Sequence, residues 1–98
     1  MLPTKEEVDA VLEDINKARA TYNLPPMKAI LKGKWRGDSP RDCPVARTVK
    51  YKSDIDFVVS YNSILNGADY FPLSNISKKF VRTWGSPSNP NSKEMWDD

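Results

Sequence analysis

The stretch Thr4–Tyr22 constrains this chain more than any other part of it. Val8, Val11, Leu12, Ile15, Ala18, Arg19 and Tyr22 fall at i, i+3, i+4, i+7, i+10, i+11 and i+14, the spacing of one helical stripe. All but Arg19 suit an apolar face, and Arg19 can lay its stem along the edge of that face. Thr4 and Glu7 stand three apart, the spacing of a capping box in which each side chain serves the other's backbone N–H. Glu6, Glu7 and Asp9 favour the positive end of the helix dipole, and Lys17 and Arg19 the negative end. The spacing predicts a helix over 4–22. Asn23-Leu24-Pro25-Pro26 ends it, because a residue before proline avoids the helical region.

The rest of the chain breaks into shorter pieces. Pro26 suits a first helical position and Gly33 a residue just past a C-terminus, so a short helix is expected over 26–32, with Met27, Ile30 and Leu31 inward. Gly33–Pro44 reads as a basic loop. Asp42 is a candidate cap for a second short helix running from Cys43 through Arg47 and on to Thr48, with Pro44 near its start. Alternation on either side of Ser53-Asp54 suggests a β-hairpin of 48–52 with 55–61. Asn66-Gly67 marks a further turn. Ser74 or Asn75 is positioned to cap a last helix over 74–84, with Ile76, Phe80, Val81 and Trp84 on its buried side. Past Gly85 the Ser/Pro/Asn-rich stretch reads as irregular.

These pieces predict an α+β fold. A long N-terminal amphipathic helix and a C-terminal helix pack over a small antiparallel hairpin, with short helices between. One domain over 1–86 and an irregular C-terminal tail over 87–98 are expected. The predicted core is Val8, Val11, Leu12, Ile15, Ile30, Val45, Phe57, Val59, Ile76 and Phe80, with Val58 and Tyr61 free to face either way.

The chain has 98 residues, no His and one Cys. Without His there is no histidine triad, histidine metal site or histidine pH switch. A single thiol allows no disulfide within the chain and points to a reducing compartment, with the cytoplasm as the expectation. No run approaches the roughly 18 apolar residues of a membrane span, and the acidic amphipathic N-terminus does not read as a secretory leader. No membrane, cofactor, metal or small-molecule substrate is expected. Cys43 has two readings: a nucleophile activated by a helix start and by Arg41 and Arg47, or a small apolar plug seating that helix start in the core. The first lacks the proton shuttle that nucleophilic catalysis needs, so the second is preferred and a non-enzymatic role expected. The carboxylate pairs Glu13/Asp14 and Asp54/Asp56 are in principle cation or acid–base sites. Glu13 and Asp14 are expected on the polar face of the first helix, Asp54 in a turn, and Asp56 facing water or the basic segment.

Net charge is only +2, but it is polarised. Residues 1–27 carry −2, residues 28–52 carry +6 and residues 53–98 carry −2. The basic segment suits phosphate neutralisation, with Trp35 and Tyr51 available to stack on bases. The candidate nucleic-acid-binding residues are Lys32, Lys34, Trp35, Arg36, Arg41, Arg47, Lys50 and Lys52.

The run from Gly37 through Asp42-Cys43-Pro44-Val45-Ala46-Arg47, followed downstream by Pro72-x-x-x-Ile76-x-x-x-Phe80-Val81-x-x-Trp84, resembles a pattern in small uncharacterised proteins of actinobacteria and their phages. Those proteins share a basic Gly-containing loop, a Cys-Pro-aliphatic-Ala-Arg motif and a later aromatic helix. The likeness spans roughly 33–84 and leaves out the acidic first helix. It implies a small phage-type accessory protein, in the host bacterial cytoplasm if phage-encoded, and no particular activity. The expectation is therefore an interaction module that docks on a host or viral protein or self-associates, with Met95 and Trp96 as candidate partner-binding residues. Nucleic-acid binding through 28–52 is the alternative.

Overall fold

The computed structural model describes residues 3–31 and 40–84, the Trp84 side chain excepted. The first helix, α1 (Lys5–Thr21), carries the predicted capping box. Thr4 Oγ1 accepts from Glu7 N at 3.1 Å, and Glu7 Oε1 accepts from Thr4 N at 3.3 Å. Then come α2 (Pro44–Val49), β1 (Val58–Val59), β2 (Ser63–Asn66), β3 (Asp69–Pro72) and α3 (Asn75–Trp84). The fold is α+β: two longer helices and a short one around a three-stranded antiparallel sheet.

Three local expectations fail. Within 26–31 there is no helix. Asn16 instead takes the backbone of Met27 into its side chain, accepting from Met27 N at 2.7 Å and donating to Met27 O at 3.1 Å. Those two bonds satisfy both main-chain groups of Met27 without a helix, and they hold 24–31 along α1 as a strap in which Ile30 and Leu31 are buried. The second failure is the cap of α2. It is Cys43, not Asp42, and Cys43 Sγ accepts from Ala46 N at 3.4 Å.

The third is the hairpin. Residues 48–49 belong to α2, 50–52 form a turn, and 55–57 are irregular. The sheet lies later in the chain, in the order β1-β2-β3. Val58 pairs with Leu65 and Val59 with Ile64, and Ser63–Asn66 runs antiparallel to Asp69–Pro72. Only two residues, Gly67 and Ala68, join β2 to β3. Gly67 sits at φ +58°, the left-handed region in which glycine carries no side-chain penalty.

Alternation in these strands defines two faces. Val59, Ile64 and Phe71 form one cross-strand row and face the core, with Val59 and Ile64 buried and Phe71 half-buried. Val58, Leu65 and Tyr70 form the opposite row. Both sheet edges end at a proline. Beside β1, Val59 N donates to Pro40 O at 3.1 Å. In β3 the ladder alternation turns Tyr70 and Pro72 outward, and Pro72 has no N–H to offer.

The core joins α1 (Val11, Leu12, Ile15, Ala18), α2 (Val45, Ala46, Val49), Ile30, Cys43, Phe57, Val59, Ile64, Leu73, Phe80 and Val81. Val8 is only half-buried at its margin. Ile76 is 39% exposed, contrary to expectation. Ser74 starts the helix, accepting from Ser77 N at 3.3 Å. That phase turns Ser77, Phe80 and Val81 inward instead. Tyr61, which was open to either face, points outward at 46% exposure.

Two charged residues of α1 also depart from their expected places. Asp14 is buried rather than on the polar face. Its Oδ2 accepts from Ser74 N at 2.9 Å, which ties α1 to the start of α3. Arg19 is 2% exposed rather than lying along an edge. Its Nε donates to Pro25 O at 2.7 Å, and its Nη1 to Val49 O and Tyr51 O at 3.0 Å and to Thr48 O at 3.4 Å. The guanidinium thus closes the carbonyl end of α2, where a cation suits the dipole.

Candidate functional site

Four of the candidate nucleic-acid-binding residues, Lys32, Lys34, Trp35 and Arg36, lie outside the described residues, as do Met95 and Trp96 and the whole tail over 87–98. The other four are described, and their partners lie within the chain. Arg41 holds Asp56 in a two-pronged pair, Nε to Oδ1 at 2.9 Å and Nη2 to Oδ2 at 3.2 Å. The Asp56 carboxyl is held below its usual range by the Arg41 guanidinium. Asp56 therefore does face the basic segment, at an exposed position. Lys50 Nζ donates to Arg41 O at 2.6 Å. Lys52 Nζ sits 5.3 Å from the centroid of the Tyr51 ring. Arg47 projects from α2 at an exposed position and is also engaged. Neighbouring charges and dipoles thus already absorb part of the +6 read from residues 28–52.

Cys43 matches its second reading. It is buried at the start of α2, and burial pushes its thiol up from the ordinary range, against the opposing effect of the backbone N–H groups around it. A nucleophilic thiol needs the opposite shift. Among the described residues no group of three or more His, Cys, Asp or Glu is placed to hold a metal ion. Glu13 pairs with Lys17 on the surface at 3.6 Å, while Asp14 turns inward to Ser74.

Among the described residues the most exposed large hydrophobic one is Tyr70, at 60%. It ends the outer row of the sheet, beside Leu65 and Val58, both half-exposed. A three-strand row of apolar side chains is a surface that a partner can cover. Neither Leu65 nor Tyr70 was anticipated. Part of the signal was present, because the turn dipeptide Asn66-Gly67 lies between the apolar pairs Ile64-Leu65 and Tyr70-Phe71.

No family model, curated protein or solved structure matches the chain. Among the described residues no helix is long and apolar enough to cross a membrane.

Proposed function

We propose that this chain is a non-enzymatic interaction module that docks on another protein through the outer face of its sheet. The observation that carries the reading is the row Val58–Leu65–Tyr70, apolar across all three strands and most open at Tyr70. Its likeness to small actinobacterial and phage proteins makes a host or viral protein in the bacterial cytoplasm the proposed partner, with self-association as the other form of the same contact. Nucleic-acid binding is the less favoured reading, because Arg41 and Lys50 already have partners within the chain.

Affinity capture from a bacterial host lysate, using the wild-type chain and Tyr70→Ser side by side, tests it. The expected result is a protein retained through nuclease treatment and high salt by wild type and lost with Tyr70→Ser. Apolar docking is insensitive to salt, whereas phosphate contacts weaken steeply as salt rises. Retention that disappears with nuclease, or that is the same in both variants, overturns the proposal.

A further inference from the structure

The hydrogen bonds of Arg19 leave one side of its guanidinium unused. Nε and Nη1 serve four carbonyls, but among the described residues nothing accepts from Nη2 and no carboxylate pairs with the group. Burial alone moves its pKa, and downward. A nitrogen of a buried guanidinium without an acceptor is rare, and it marks a place for water or a ligand.

A cleft of about 240 Å³ opens against this residue, lined by Arg19, Pro25, Pro26, Met27, Tyr51 and Lys52. Among the described residues no acidic side chain lines it. Lys52 brings a second positive charge and sits at φ +54°, a conformation that an L-residue other than Asn or Asp seldom adopts. Its ammonium stands near the Tyr51 ring. Tyr51, Pro25, Pro26 and Met27 supply flat or apolar walls. The space is smaller than the roughly 300–1,000 Å³ of drug-sized pockets, so it suits one charged group on a small body. The four carbonyl dipoles on Nε and Nη1 offset part of the buried charge, and an anion on the remaining side would offset the rest.

We propose that the cleft between Pro25–Met27 and Tyr51–Lys52 binds a small organic oxyanion, a carboxylate or phosphate monoester carried on an apolar body. Arg19 Nη2 and Lys52 Nζ are the donors, and the Tyr51 ring and the two prolines are the walls. This site is independent of the docking face on the sheet.

The test is an NMR titration of the full ¹⁵N-labelled chain with benzoate and with phenyl phosphate at constant ionic strength, with chloride as the control. Saturable shifts concentrated at Met27, Tyr51, Lys52 and the Arg19 Nε–H are expected. The tighter of the two probes identifies the oxyanion. Lys52→Ala weakens binding about five-fold, the size of one exposed charge contact. Lys28→Ala, at the separate cleft lined by Lys5, Val8, Asp9, Lys28, Ala29 and Ile30, leaves it unchanged. Arg19 also holds the fold, so Lys52 rather than Arg19 is the diagnostic position. Shifts that chloride reproduces, shifts spread evenly over the lysines and arginines, or affinity indifferent to Lys52→Ala each overturn the proposal.

Discussion

A guanidinium that donates to Pro25, Thr48, Val49 and Tyr51 joins three segments that no ladder or helix connects. Replacing it takes that donor from the buried carbonyls of Thr48 and Val49, and an unmet buried polar group costs more than a formed bond contributes. Arg19→Met is expected to lower stability by about 3 kcal/mol in urea unfolding. Arg19→Lys recovers little of it, because an ammonium lacks the planar fork. A loss below about 1 kcal/mol for Arg19→Met would show that water replaces the side chain without strain. The sequence lays the stem of Arg19 along the edge of the apolar stripe of α1, whereas the side chain is buried. Its burial was not legible, because the carbonyls that receive it come from residues 25–51, whose path depends on tertiary contacts.

Cys43 makes a pH-dependent prediction at the same scale. Burial raises its folded pKa above the unfolded value, so the native state holds the thiol proton more tightly. The stability this provides is complete below the ordinary thiol range and is lost as pH rises through about 9 and beyond. Between pH 7 and pH 10 the wild-type urea midpoint should fall further than that of Cys43→Ala. Equal falls would mean that the thiol titrates as it does in the unfolded chain. Maleimide should label the native thiol slowly, at a rate set by opening of α2.

At the scale of elements, the helices were far more legible than the strands. The capping box and stripe placed α1 to within a residue at each end, because helix signals are local and α1 is long. β1 has two residues and β2 and β3 four each, too few for alternation to stand out. Lys50-Tyr51-Lys52 alternates equally well, yet it forms the turn after α2, where the Tyr51 carbonyl meets Arg19. The expected helix over 26–32 gave way to the Asn16 clamp on Met27, a contact across eleven positions that no local rule reports. Two substitutions probe these joints. Asp14→Ala removes the acceptor for Ser74 N and should cost about 1–2 kcal/mol, read as a lower urea midpoint. A neutral result would mean that apolar packing and the Ser77 Oγ bond to Ala10 O hold α1 and α3 together without it. Gly67→Ala meets nothing within 4 Å of the added Cβ. Its cost, about 1 kcal/mol, is therefore conformational only.

At the scale of the whole molecule, the legible part was the class and the hidden part was the surface. Fold class followed from one strong helix, one later helix and a β-rich middle. Which apolar residues remain outside depended on strand register, and a one-residue shift exchanges the two faces of a sheet. Tyr70→Ser tests the outer face without disturbing the inner one. It should change stability by less than about 0.5 kcal/mol, as exposed substitutions do, while abolishing partner capture. If Tyr70→Ser unfolds the chain instead, the outer row is part of the core rather than a docking surface.

A sheet three strands wide invites lateral growth by neighbouring chains, the first step toward fibrils. Here one flank already spends Val59 N on Pro40, and the other ends in Pro72. Concentrated solutions should accordingly stay free of thioflavin-positive polymer, and any assembly should be of limited size, built by stacking face on face.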